Sequence, residues 1–247
     1  MAAAPGGLVG CESSTPAVII APMTRVFGRD WTEESVLADG RKVVVRVLRP
    51  EDAPLLAKGF EQLSPESRFR RFHGARGPLT ADELRYLTGI DGEDHFALGA
   101  VDAKSGEGLG VGRFVRVAGE PTVAEPAVAI VDAAQRKGLG RFLLARLAAA
   151  AQERGIESFR CLVLSSNQPM RRLLAKLALP SHATREGEIL RIEIPVAQLR
   201  SVPVDAPRGL LHELLVAAAA GGFLVADLAG HLREWLGPHD APPPASC

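Results

Sequence analysis

The chain has 247 residues, and its 29 Lys and Arg balance 29 Asp and Glu, so it lacks the overall electrostatic footprint of a nucleic-acid or membrane-surface binder. With 47% hydrophobic and 23% charged residues it is not disordered by composition, and no charge-free apolar run reaches the ~18 residues of a membrane span. Cys11, Cys161 and Cys247 are too few and too scattered for a disulfide framework or a zinc site, which points to a reducing, cytoplasmic setting.

Residues 1–33, rich in Ala, Gly, Pro and Thr, read as a disordered arm. Leu8-Val9-Gly10-Cys11 looks like a lipoprotein cleavage box, but the stretch before it is short and carries no Lys or Arg, so lipidation is not expected. From Val36 onward the pattern sharpens. Asp39-Gly40 is a hairpin turn signal between a short strand and the β-branched run Val43 to Leu48, and Pro50-Glu51-Asp52 opens a helix. Ser64-Pro65-Glu66 reads as a further helix start, and Thr80 with Glu83 forms a capping box for a helix reaching Leu87.

Three strand-like runs follow, Phe96 to Val101, Leu109 to Val117 and Thr122 to Val131, which implies an antiparallel meander. Leu139, Phe142, Leu143, Leu147, Ala150 and Ala151 recur at helical spacing, and Gly155 stands where a glycine would terminate that helix. Phe159 to Leu164 reads as a buried strand, 168–177 as a helix and Ile189 to Ile194 as a closing strand. Strand, helix and strand in succession imply a parallel crossover. Beyond residue 200, two Leu-rich stripes separated by Gly221-Gly222 predict a helical hairpin, with a Pro-rich tail at Pro242 to Pro244. The expected domains are thus 1–33, 34–200 and 201–247.

Chemistry concentrates where the third run of the meander meets the helix near Lys137. In Gln135-Arg136-Lys137-Gly138-Leu139-Gly140 two closely spaced glycines let backbone N–H groups approach a ligand, and the helix start adds about half a positive charge. Arg136, Lys137 and Arg141 add mobile cations suited to a pyrophosphate. The same spacing could serve only a tight turn, or cradle another nucleotide. Gly140-Arg141-Phe142 is not the Gly-Lys-Ser/Thr of a P-loop, and a Rossmann turn would follow the first strand of a parallel alternation.

This segment resembles the signature of the GNAT superfamily of N-acetyltransferases: Gln or Arg, two residues, Gly, one residue, then Gly or Ala. The resemblance spans roughly Gly40 to Ile194. It is nearest to the acetyltransferase domains of bacterial protein lysine acetyltransferases, through Arg49-Pro50-Glu51-Asp52, Leu63-Ser64-Pro65-Glu66-Ser67-Arg68, Ala124-Glu125 and Asn167. It implies an α/β (α+β) GNAT fold: a mixed, mostly antiparallel sheet splayed at its centre and flanked by helices, here with a C-terminal helical extension.

It further implies acetyl-CoA as co-substrate, with its pyrophosphate on Gln135, Arg136, Lys137, Gly138, Leu139, Gly140 and Arg141. The pantetheine arm would lie against the backbone of Val128 and Ile130, and Asn167 would contact it from the other side unless it is simply a helix cap. By the same resemblance Glu125 is the general base. A base is needed because a lysine of pKa ~10.4 must lose its proton before attack, which at pH 7 costs roughly 4 to 5 kcal/mol. Pro126 cannot donate to a ladder, so a bulge or break in pairing is expected beside Glu125.

No general acid is evident, since Tyr86, the only tyrosine, lies far from the usual position. Ala134 replaces an aromatic that many relatives carry before the turn, and Ala178-Leu179 replaces Gly-Phe. Arg68, Arg70, Arg71 and Arg76 form a basic cluster that is either a solvated helix face or a site for an acidic acceptor or the CoA 3′-phosphate. The six histidines show no metal-ligand spacing, so no metal is expected. The expected acceptor is a protein lysine, with a small amine as the alternative. A non-catalytic acyl-CoA sensor or scaffold is the competing class, and the C-terminal hairpin is a surface through which two copies could pair.

Overall fold

The computed structural model describes residues 26–65, 77–164, 183–187 and 189–200. Eight strands form one sheet: β1 (Thr32–Val36), β2 (Lys42–Val47), β3 (His95–Asp102), β4 (Gly108–Val117), β5 (Glu120–Ile130), β6 (Ser158–Leu164), β7 (Ala183–Glu186) and β8 (Ile189–Pro195), in the order β1-β2-β3-β4-β5-β6-β8-β7. The helices are α1 (Ala53–Glu61), entered through a 3-10 turn at Pro50–Asp52, then α2 (Ala81–Thr88), α3 (Leu139–Gln152) and α4 (Val196–Arg200). Neighbouring strands run antiparallel except β5 and β6, which are parallel and joined by α3. The α/β class and the meander are present, but the parallel crossover expected between 159–164 and 189–194 is not: β6 and β8 are antiparallel, and the parallel connection is the one from β5 through α3 to β6.

Period-two alternation sorts the sheet into two faces. Val43, Val45, Val47, Leu98, Ala100 and Phe114 join Leu139, Leu143 and Leu147 of α3 in the main core. There α3 lies very close to β4: a Cβ on Gly112 would sit 2.8 Å from Leu147 Cδ1, and one on Gly110 would sit 2.5 Å from Ile130 Cδ1. Glycine at these positions is therefore a packing requirement. The opposite face, covered by α1 and α2, is more thinly filled, with Tyr86 and Leu87 packed against Leu56 and Leu79.

Local signals set the helix limits. Glu83 N–H donates to Thr80 Oγ1 (3.2 Å) while Thr80 N–H donates to Glu83 Oε2 (2.8 Å), the reciprocal capping box expected for α2. At the end of α3, Gly155 N–H donates to Gln152 O and Ile156 N–H to Ala151 O, with Gly155 at φ 72°. That is the Schellman arrangement for which a glycine was anticipated.

Two expectations need correction. Residues 26–33, assigned by composition to the arm, pack on the domain: Phe27 is buried, its N–H donates to Glu153 Oε2 (3.1 Å), and β1 starts at Thr32. The short strand expected ahead of Asp39-Gly40 is β1; only its start was hidden, because Thr-Glu-Glu-Ser-Val has no apolar face. The 4-residue β7 was also not anticipated. The helices proposed at 168–177 and beyond residue 200 lie outside the described residues, as do Asn167 and the cluster Arg68, Arg70, Arg71 and Arg76. Among the described residues no helix is long and apolar enough to cross a membrane, and no group of three or more His, Cys, Asp or Glu is placed to hold a metal.

Candidate active site

β5 and β6 share only two ladder pairs, Val123↔Ser158 and Ala124↔Phe159, and then part. Two hydrogen bonds fix which way the β5 backbone points. Glu157 N–H donates to Thr122 O (2.8 Å) on the β6 side, whereas Val131 N–H donates to Leu109 O (3.0 Å) on the β4 side. Alternation then directs the backbone groups of Val128 and Ile130 into the opening between the strands. These are the two residues expected to bind an extended arm there. The Ile130 carbonyl is held by Gln135 Nε2 (3.0 Å), which also donates to Asp132 Oδ1 (2.9 Å). Gln135 thereby ties the strand end to the turn that follows it.

The bulge expected at Pro126 is absent from the β4 ladder, where Phe114↔Pro126 and Val115↔Glu125 pair in regular register and the shift falls at Arg116/Val117. The break lies on the other side. Pro126 belongs to the even-numbered set that faces the opening, so its missing N–H removes nothing from the β4 ladder. Glu125 stands one residue beyond the last β5–β6 pair, half-buried, with Oε2 withdrawn from solvent.

The turn ahead of α3 contains Arg136 at φ 59° and Gly138 at φ 95°. A Cβ on Gly138 would meet nothing within 4 Å, so glycine is needed there for its backbone angle and not for space. The first helical hydrogen bond of α3 runs from Phe142 N–H to Gly138 O (3.0 Å), so the N–H groups of Leu139 and Gly140 precede it and sit at the positive end of the helix. Of the three cations expected to be mobile, only Arg136 is exposed. Lys137 Nζ pairs with Asp39 Oδ2 (2.7 Å), and this hydrogen bond, with the Arg41 N–H, holds the Asp39 carboxyl below its ordinary range. Arg141 is buried because the first turn of α3 enters the core. Any grip on a diphosphate therefore rests mainly on backbone groups and Arg136.

On the α1/α2 face a cavity of about 110 Å³ opens beside Glu125. Among the described residues most of its wall is apolar, including Leu48, Leu56, Phe60, Val111 and Val115, and its charged members are Arg46, Asp52, Arg113 and Glu125. Arg46 and Asp52 neutralise one another through two hydrogen bonds (2.7 and 2.6 Å). Burial alone would raise the Asp52 carboxyl, but Arg46 and the Arg49 N–H outweigh it and hold the group below its usual range.

Arg113, Tyr86 and His95 were not anticipated as a unit. Arg113 is buried and lines the cavity; its Nη1 lies 3.0 Å from His95 Nε2, and Tyr86, also on the cavity wall, stacks on His95 with centroids 5.0 Å apart. A guanidinium can only donate, so His95 Nε2 is the acceptor and carries no proton. The available sequence signal was the period-two set Val111, Arg113, Val115, which places a cation between two inward-facing valines. Cys161, buried in β6, has its thiol pushed up by burial and further by the Glu125 carboxylate, so it stays neutral and is a poor acyl carrier.

Comparison with known proteins agrees with this geometry. The model of the acetyltransferase (GNAT) family matches residues 61–178. Acetyltransferase Pat of Mycolicibacterium smegmatis is 30% identical over 166 residues, 67% of this chain and 49% of that protein, so the chain spans about half the length of this relative. Acetyltransferase PA5475 of Pseudomonas aeruginosa is 32% identical over 154 residues, 62% of this chain and 81% of the relative. The crystal structure of the GNAT domain of S. lividans PAT is 32% identical with a TM-score of 0.58, covering 67% of this chain and 97% of that one. A sheet that parts beside Glu125, a glycine turn at the head of α3 and likeness over nearly the whole of a solved GNAT domain together place the chain in the GNAT acetyltransferase family.

Proposed function

We propose that the protein is an acetyl-CoA-dependent N-acetyltransferase in which an acceptor amine attacks the thioester directly, with Glu125 as general base. The observation that carries this reading is the coincidence of three features at one place: the open backbone edge at Val128 and Ile130, the turn at Gly138, and a carboxylate where β5 and β6 part. The turn and Arg136 take the diphosphate, and the strand edge aligns the pantetheine amides as a neighbouring strand would. Glu125 accepts one proton from the ammonium to give the free amine; the N–C bond forms as the C–S bond breaks, and the second proton shed by the nitrogen passes to the departing thiolate or to water. With a free-thiol pKa near ~8.5 that thiolate needs little help from an acid. Cys161, neutral and buried, makes a covalent relay the poorer alternative.

A protein lysine is the first acceptor to test, following the resemblance to bacterial lysine acetyltransferases. A small amine is the second, and one observation favours it: Glu125 borders a largely apolar cavity whose charged wall among the described residues, apart from the mutually paired Arg46 and Asp52, is the buried Arg113. Calorimetry with acetyl-CoA, followed by labelled acetyl-CoA with either a cell lysate or an amine panel, tests the reading. The expected result is saturable binding and label recovered as amide. Binding with no transfer to any amine would instead indicate an acyl-CoA sensor.

A further inference from the structure

Arg113 differs from the other charged groups around the cavity. Arg46 and Asp52 cancel, while the partner of Arg113 among the described residues is a neutral ring nitrogen, His95 Nε2 at 3.0 Å. The guanidinium is only 5% exposed. A buried cation without a counter-charge is costly to fold around, so such a group is kept where an anion arrives to meet it. Burial pushes the guanidinium down to about 10, as expected for a cation that lacks its counterion.

Register places Arg113 relative to the base. Arg113 pairs with Ala127 and Val115 with Glu125, so Arg113 and Glu125 are diagonal neighbours on one face of the β4–β5 pair. Diagonal positions have Cβ atoms roughly 7 to 8 Å apart, and both side chains border the same cavity. His95, with Tyr86 stacked on its ring, holds Nη1, and the other N–H groups of the fork, which have no hydrogen-bond partner among the described residues, are left for a planar anion. One cation matches one negative charge, which favours a carboxylate over a phosphate dianion.

Resting on the reading of Glu125 as the base, we infer that the acceptor is a small amine bearing a carboxylate, bound with its anionic end on Arg113 and its amine at Glu125. The apolar wall formed by Leu56, Phe60 and Val111 suits the methylenes between the two ends. A carboxylate on a folded protein surface would have to bring its backbone inside the cavity to reach Arg113. A free amino acid does not.

Matched pairs differing only in the carboxylate supply the test: L-lysine against cadaverine, ornithine against putrescine, and 4-aminobutyrate against propylamine. The wild-type protein is expected to favour the carboxylate member of at least one pair by about 100-fold in kcat/KM, the scale of a charge-assisted hydrogen bond. Arg113→Met should collapse that ratio to within about threefold of one, mostly through KM, and Arg113→Lys should keep part of it. Wild-type affinity for the N-acetylated products, measured by calorimetry, gives a readout that needs neither turnover nor a variant. Tighter binding of the carboxylate product supports the inference. Equal acetylation and equal product binding across every pair would overturn it while leaving the base assignment standing. Selective product binding with no acetylation of any amine would instead count against Glu125 as the base.

Discussion

Two buried arginines, Arg154 and Arg113, stand at opposite ends of what a guanidinium can do in this fold. Arg154 donates to three backbone carbonyls, Ala150 O (2.7 Å), Phe27 O (3.0 Å) and Gly92 O (2.6 Å), and lies 4.2 Å over the Phe96 ring. It closes the end of α3, fastens the segment before β1 and anchors the loop before β3 in a single residue. Arg113 donates to one neutral nitrogen and otherwise faces a cavity. The contrast teaches that burial of a charge is not itself a sign of structural purpose. What matters is whether its donors are used within the protein or left for a ligand.

That contrast can be broken by mutation. Arg154→Met should show the largest stability loss, about 3 to 5 kcal/mol by chemical denaturation, because several buried carbonyls lose their donor at once. Asp52→Asn should cost about 2 kcal/mol at pH 7, between the values for exposed and buried pairs, since it weakens the link to Arg46. Its pH dependence has a definite sign. The Asp52 carboxyl is lowered in the fold, so its contribution is complete above the unfolded value of ~3.9 and is lost as pH falls through the lower folded value. Wild type and Asp52→Asn should therefore converge in stability only at pH values below the unfolded carboxyl value of ~3.9, as the lowered folded group titrates.

Smaller effects sharpen the other side. Gly138→Ala forces a side chain into φ 95° and should cost about 1 kcal/mol in stability, together with a measurable loss of acetyl-CoA affinity. Arg113→Met should change stability by less than about 1 kcal/mol, or raise it, because it removes a buried charge that makes no ion pair among the described residues. A destabilisation as large as that of Arg154→Met would show that Arg113 is a second structural clamp and not a ligand group.

Legibility in the sequence followed the range of the interactions. The β3-β4-β5 meander, α3, the Thr80–Glu83 capping box and the Gly155 terminus are written in spacings of a few residues, and each is found where those spacings put it. Glu125 and the turn at Gly138 were reachable through a motif and its resemblance. Arg113 was not, because an arginine in a strand reads as solvent-facing until α1 and α2 are seen to roof that side of the sheet. Lys137 and Arg141 looked mobile for the same reason: their neighbours, Asp39 and the core beneath α3, are distant in the chain or hidden by a helix turn. Pro126 was correctly read as incompatible with one ladder, but which ladder depends on β6, which starts only at Ser158, beyond the turn and helix that follow β5.

The role of Glu125 is tested most directly by comparing acetyl transfer to an amine by wild type and Glu125→Gln at saturating acetyl-CoA, from pH 7 to 10. Loss of a positioned base predicts a rate deficit of about 100-fold at pH 7 with acetyl-CoA affinity retained, narrowing toward pH 10 as the amine, of pKa ~10.4, loses its proton unaided. A deficit within about twofold at pH 7, with binding intact, would contradict the account.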